Sequence, residues 1–385
     1  MAIHALFDFD TIRPMEYNMA KIPVGVLGAT GMVGQQYIAL LKDHPWFEPR
    51  FMAASPKSAG KKYKDAAAGR IHFPGVAEAV GELIVADAND VSQAVAAAKA
   101  GGCAFVFSAL EMGKDEIRAL EDSYAAAGIP VISNASAHRW TSDVPMLIAE
   151  VNHQHTDIIP AQKKARGWDK GFIVVKPNCS IQSYTTPLYA LIQAGYEIKR
   201  IIVTTLQAVS GAGYPGVPSL DMIDNIVPYI GGEEEKSELE PLKILGFIES
   251  GGSYIKNAEF PKVSAHCNRV PVTDGHTACV SLEFGAKKPS VDEVKNILSN
   301  FRSLPQELKL PMAPERPIIV REENDRPQPV KDRDTDKAMA ITVGRIRPCG
   351  VFDLRFTGLS HNTVRGAAGG GVLNAELLYH KGYLK

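Results

Sequence analysis

The chain has 385 residues, of which 45% are apolar and 22% charged, and its formal net charge is −1. Such a length suggests about two domains, and such a composition a globular protein with a sizeable core. A charge this close to zero offers no field for nucleic acid or an anionic membrane, and no apolar run nears the roughly 20 residues that would span a bilayer.

Residues 1–20 carry Asp8, Asp10 and Glu16, lack a long apolar core and read as an extension outside the fold. From residue 21 strands and helices alternate. Val24–Leu27 reads as a strand, Val33–Leu41 as a helix, Phe51–Ala54 as a strand and Val91–Ala98 as a helix. Ala104–Phe107 follows as a strand, Lys114–Ala127 as a helix and Val131–Ile132 as a strand. This α/β rhythm is that of a Rossmann-type parallel sheet with helices on both faces. Pro160–Gly171 is polar and basic and reads as a surface loop. Beyond it the texture changes. Arg200–Val209 and Thr277–Phe284 are long β-rich runs, and Val291–Phe301 reads as helical. Pro305–Lys337 is dense in proline and charge and reads as irregular, and Arg365–Leu378 as a glycine-rich turn entering an apolar helix.

The turn Gly28-x-x-Gly31-x-x-Gly34 lies between the first strand and the first helix. Glycines there let the backbone approach a pyrophosphate, and the helix behind presents free N–H groups. Thr30, Met32 and Val33 fill the turn. The second strand ends in Ser55-Pro56-Lys57-Ser58, with Lys61 and Lys62 close behind and no carboxylate. An NAD site usually places an acid there, whereas hydroxyls and lysines suit a 2′-phosphate, so NADP(H) is the expected cofactor.

None of the five cysteines (Cys103, Cys179, Cys267, Cys279, Cys349) lies in a C-x-x-C pair. No disulfide framework or zinc site is indicated, and a reducing, cytoplasmic setting is expected. Cys103, Cys279 and Cys349 fit buried small hydrophobes. Cys179 does not, because Pro177-Asn178 before it and Ser180 after it mark a turn. A helix over Ile181–Ile192, which Pro187 would kink or shorten, would favour its thiolate. His276 follows a Gly turn at the start of a β run and can move a proton; Arg269 can fork onto a carboxylate. The alternative for both is a hairpin with solvent-facing side chains. Gln207 ends a β run entering Ser210-Gly211 and either orients a carbonyl or caps the loop. Asn134 and Arg139 follow a sheet strand, where ligand-binding loops emerge. His153 and His155 are expected at the surface and not on a metal.

Taken in order, Gly28–Gly34, Ser55–Lys61, Ser133–Arg139, Glu150-Val151-Asn152, Pro177–Ser180, Gln207–Gly213, Glu233–Lys236, Arg269–His276 and Asn362–Gly370 resemble aspartate-β-semialdehyde dehydrogenase of the archaeal and fungal branch. The resemblance implies an NADP-binding domain over 21–158, completed by a helix in 360–385, and an α+β catalytic and dimerisation domain over 159–359. It implies reduction of L-aspartyl-4-phosphate by NADPH in a homodimer or homotetramer. Cys179 is then the nucleophile, His276 the acid/base and Gln207 the residue orienting the acyl group. Arg269 anchors the substrate carboxylate and Glu234 the amine, with one place of ambiguity in the run Glu233–Glu235. Arg139, Asn178 and Lys236 hold phosphate. Ser108, Ser210, Gly211 and Asn362 join the cofactor contacts. The competing readings are a sister acyl reductase acting on N-acetylglutamyl phosphate or malonyl-CoA, and a non-catalytic NADP-binding regulator.

Overall fold

A computed structural model of the chain describes residues 20–70 and 76–384. The extension expected over residues 1–20 therefore lies, except for Ala20, outside the described residues. The first sheet has six parallel strands: β1 (Ile22–Leu27), β2 (Phe47–Ala54), β3 (Val85–Asp87), β4 (Phe105–Ser108), β5 (Val131–Ser133) and β6 (Ile173–Val175), in the order β3-β2-β1-β4-β5-β6. Val24, Val26, Phe105, Val106, Phe107, Val131 and Ile132 are fully buried. Strands covered on both faces have no wet side to alternate with, which is why they read as continuous apolar runs. The strand order reverses between β1 and β4, and sheets of this kind bind ligands outside the carboxyl ends at that point. Leu27 is in register with both Ala53 and Ser108, so Gly28 emerges beside the ends of both neighbours.

Several expectations need correction. β6 places residues 173–175 in the first sheet, so this unit passes the boundary expected at 158. Ile159–Arg166 is a helix, not a loop. Its polar appearance misleads because Gln162 is buried and pins β6, accepting the Ile173 N–H at 2.7 Å, while Arg166 pairs with Asp143 at 2.8 Å. His155, expected at the surface, is buried and donates from Nε2 to the Gly246 carbonyl at 3.0 Å. Cys279 is exposed and Cys349 partly so, whereas Cys103 is buried as expected.

The second sheet is mixed. It contains β7 (Ile198–Gln207) and, after a small hairpin of β8 (Phe247–Ile248) and β9 (Ile255–Lys256), β10 (Lys262–Arg269), β11 (His276–Phe284), β12 (Ile318–Arg321), β13 (Ile341–Pro348) and β14 (Leu354–Ser360). Their order is β10-β7-β11-β14-β13-β12. Helices Thr185–Gln193 and Val291–Asn300 help bury one face. A capping box starts the latter, with Ser290 and Glu293 each accepting the other's backbone N–H. Ile202 and Cys279 remain exposed on the opposite face. The stretch expected to be irregular holds β12 and short helical turns at Leu304–Glu307 and Pro329–Asp332.

After β14 the chain makes a π-helical turn, Val364–Ala368, and a helix, Gly369–His380. The glycine-rich stretch expected as a turn is thus already helical. This segment returns to the first unit, where Asn374 donates to the Leu147 carbonyl at 3.0 Å. Arg365 is fully buried on Glu150, 2.5 Å between Nη1 and Oε1. Among the described residues, no helix is long and apolar enough to cross a membrane and no group of three or more His, Cys, Asp or Glu could hold a metal ion.

Candidate active site

β6 ends at Val175, and Lys176-Pro177-Asn178 carries the chain to Cys179. Cys179 caps a short 3₁₀ turn, Ser180–Ser183, and the α-helix starts only at Thr185, so the helix expected from Ile181 is interrupted. Pro187 falls in the first turn of that helix, where no intrahelical donor is lost. Buried Glu240 fixes the loop from below: Oε2 accepts the Asn178 N–H at 2.6 Å and Oε1 accepts Arg139 Nη1 at 2.8 Å. Arg139 in turn donates to the carbonyls of Lys176 and Asn134, at 3.1 and 3.2 Å.

His276 opens β11, and its Nε2 stands 3.4 Å from the Cys179 sulfur. Its Nδ1 accepts the Ala208 N–H at 3.0 Å. A neutral imidazole that accepts at Nδ1 carries its proton on Nε2, so an N–H faces the sulfur. The ring is buried, which excludes the solvent-facing hairpin. Burial, then the Arg269 cation, brings His276 down to about 3, so the ring is neutral at ordinary pH. The thiol does not meet the expectation of a charge near neutrality. Burial, then the Glu233 carboxylate, pushes it up to about 11, against the pull of Lys176, Arg139 and Arg269. No α-helix begins at Cys179 to offset this.

The helix Glu233–Ile244 supplies the acid. Glu233 faces the thiol loop: it accepts Asn178 Nδ2 at 2.9 Å, Gln207 Nε2 at 3.2 Å and Lys236 Nζ at 2.8 Å. Glu234 turns away and accepts the Cys267 N–H at 3.1 Å. The amine-binding expectation therefore moves from Glu234 to Glu233. Gln207 and Arg269 end β7 and β10 in register, and Arg269 donates to the Ala208 carbonyl at 2.7 Å. Thus Cys179, His276, Gln207, Glu233 and Arg269 converge on one point. Arg139, Asn178 and Lys236 surround it, each held here by Glu240 or Glu233.

A groove of about 210 Å³ lies over the reversal point, lined by Gly28, Thr30, Gly31, Ser55, Asn89 and Glu111 among others. Gly28 has φ +75°, and a Cβ there would lie 2.3 Å from the Ala109 carbonyl oxygen; one on Gly34 would lie 2.2 Å from that of Gly28. Only glycine closes this turn. The helix Met32–Leu41 that follows has no capping side chain, which leaves its first N–H groups for an anion. Asp87, opposite Ala54, is occupied by the Asn89 N–H, and no acid stands at the end of β2. The donor set fits a dinucleotide with a 2′-phosphate. Lys62 is engaged with Glu82 at 2.6 Å. Ser58 and Ser108 are buried and line neither groove; Ser108 lies against Glu121. A second groove joins Met32 and Ser210 and runs past Thr273. Asn362 ties it to the histidine, donating to Ser210 Oγ at 2.7 Å and accepting the Gly275 N–H at 2.8 Å. Gly211 lies where a Cβ would meet Arg269 Nη1 at 2.8 Å and His276 Cε1 at 3.1 Å. The second groove thus reaches Ser210, whose neighbour Gly211 packs on His276 and Arg269.

Sequence reasoning missed Glu240, Glu111 and Asn89, and passed over Lys176. Glu240 lies seven places after Glu233, hence on the same helix face, which was the available signal.

Residues 23–159 match the family described as "Semialdehyde dehydrogenase, NAD binding domain", and residues 188–365 "Semialdehyde dehydrogenase, dimerisation domain". The chain is 48% identical to the aspartate-semialdehyde dehydrogenase of Methanothermobacter thermautotrophicus, over 93% of this chain and 99% of that protein. It is 45% identical to that of Aspergillus fumigatus, over 95% of this chain and 100% of that protein. A crystal structure of the Candida albicans aspartate semialdehyde dehydrogenase with NADP superposes with a TM-score of 0.84 at 40% identity, covering 94% of this chain and 100% of that one.

Proposed function

The chain belongs to the aspartate-semialdehyde dehydrogenase family, and on that premise we propose that it reduces L-aspartyl-4-phosphate to L-aspartate-4-semialdehyde with NADPH through a thioester on Cys179. The observation that carries the mechanism is the 3.4 Å approach of His276 Nε2 to the Cys179 sulfur.

Cys179 sulfur bonds to the acyl carbon, the bond from that carbon to the phosphate oxygen breaks, and phosphate leaves. The substrate carboxylate takes the fork of Arg269 and its ammonium the carboxylate of Glu233. Lys236, now held by Glu233 at 2.8 Å, then exchanges that partner for phosphate, with Arg139 and Asn178 beside it. Ammonium on Glu233 also removes the charge that opposes the thiolate most strongly. The nicotinamide, when bound, supplies the hydride that reduces the thioester carbonyl. His276 Nε2–H and the Cys179 N–H are the donors placed for the oxygen that becomes negative. As that oxygen reforms its double bond the thiolate is expelled, and the Nε2–H is there to receive it. Gln207 holds the acyl group in line.

Oxidation of aspartate semialdehyde by NADP⁺ in phosphate buffer, followed by NADPH absorbance, tests substrate, cofactor and phosphate together. Absorbance that rises without phosphate, or not at all, would sink the reading. Acetylglutamyl phosphate and malonyl-CoA, the substrates of the sister reductases, should turn over far more slowly than aspartyl phosphate. The exposed face of the second sheet, with Ile202 and Cys279, supports a homodimer or a homotetramer, tested by sedimentation. Five cysteines without a disulfide agree with work in the cytoplasm.

A further inference from the structure

The amine of Lys176 is buried and makes no ion pair with a carboxylate of the described residues. The other cations packed around it are answered: Arg139 by Glu240 at 2.8 Å and Arg365 by Glu150 at 2.5 Å. Lys176 forms no ion pair with the described residues, and its Nζ donates to the Pro177 carbonyl at 2.9 Å. An ammonium without a counter-charge in the interior is unfavourable, and burial brings Lys176 down to about 7.

The partner it lacks lies three residues on. Lys176 and Cys179 pack on successive turns of the same C-terminal segment. A Cβ on Gly366 would lie 2.9 Å from that of Cys179, and one on Gly370 would lie 3.0 Å from Lys176 Cε. The two groups feel each other: the sulfur's negative form favours the ammonium, and the ammonium favours the thiolate. His276 cannot supply that charge, because its neutral ring already directs an N–H at the sulfur. Arg139 is neutralised by Glu240 and Lys236 by Glu233. Arg269 is the cation assigned to the substrate carboxylate.

We propose that Lys176 is a positioning residue for the reaction, its ammonium being the counter-charge that lets Cys179 react as a thiolate. The inference rests on the reading of Cys179 as nucleophile. When the S–H bond breaks its proton goes to solvent, and Lys176 keeps its own three. The charged and titratable groups facing the pair are Arg139, Glu240, Arg365 and Glu150 around Lys176, and Glu233, Arg269 and His276 around Cys179.

The test is the pH dependence of iodoacetamide alkylation of Cys179 in the full-length enzyme without substrate. Lys176→Gln can keep a donor on the Pro177 carbonyl but loses the charge. Its alkylation midpoint should rise by about one pH unit, roughly a tenfold slower reaction below the midpoint. Lys176→Arg should stay close to the wild type. A Lys176→Gln protein that melts and binds NADPH like the wild type, yet alkylates with the wild-type midpoint, overturns the proposal. So does a Lys176→Arg midpoint displaced as far as that of Lys176→Gln. Should Lys176→Gln not fold, Lys176→Met is read in the same way. Alkylation that left turnover intact would refute the nucleophile itself. An unmoved midpoint in an enzyme that alkylation inactivates would refute only the part given to Lys176.

Discussion

Glu240 and Arg139 form a buried ion pair, 2.8 Å from Oε1 to Nη1, and the other oxygen of the same carboxylate holds the N–H of Asn178. Removing one member leaves a guanidinium charged and uncompensated in the interior, a loss of about 3–5 kcal/mol. Glu240→Ala should therefore lower the urea midpoint sharply, and Glu240→Gln less, since an amide oxygen can still accept one of the two bonds. A midpoint for Glu240→Ala within error of the wild type would show that the pair does not hold the loop.

Cys179→Ala should abolish turnover in both directions while NADPH binds unchanged, because the glycine turn and its groove are formed by other residues. Turnover in a steady-state assay and cofactor binding by fluorescence titration separate the two effects. Residual turnover within about tenfold of the wild type would exclude a covalent route, since losing a nucleophile removes the whole thioester pathway.

The two neighbouring acids should behave in opposite ways. Glu233→Gln removes both the proposed ammonium partner and a charge that raises the thiol, so KM for the semialdehyde should rise while alkylation of Cys179 at neutral pH speeds up. Glu234→Gln weakens only an acceptor for the Cys267 N–H and should leave both readouts near the wild type. The reverse pattern would return the amine contact to Glu234.

Acid should destabilise the fold through its histidines. His276 titrates at about 3 in the folded protein against 6.5 for the free side chain. Between those values the unfolded chain binds more protons than the folded one, so stability rises with pH and is lost as pH falls through the window. One such group contributes a slope of up to about 1.4 kcal/mol per pH unit. Burial lowers His138, His155 and His361 as well, and these add in the same sense. Urea unfolding between about pH 6 and 4 should give a slope shallower by up to one proton in His276→Asn than in the wild type. Equal slopes would mean that the ring is not held neutral.

How much could be read in advance depended on how local the signal was. The parallel sheet was visible because each buried strand is a short apolar run closed by a turn, and the glycine turn because its spacing serves one geometry. Cys179, His276, Gln207 and Arg269 stand out in the sequence because each lies at the end of a strand or in a turn, and the fold brings the four together. What escaped depends on contacts distant in sequence. Arg139 and Glu240 are 101 residues apart, and nothing local tells a helix acid that faces an arginine from one that faces water. The helix Ile159–Arg166 reads as a loop because its buried Gln162, which holds β6, looks in sequence like any surface glutamine. The ionisation of the thiol was misjudged because it follows from burial and from Glu233, not from the turn that first drew attention to Cys179.

The wall behind Cys179 is Gly366, contributed by a segment that follows both sheets in the chain. A nascent chain can therefore assemble both sheets, and even the glycine turn, and still lack a shaped nucleophile. The sulfur is seated only when this segment folds back across the first unit, so a chain cut short before residue 366 would be unable to fire.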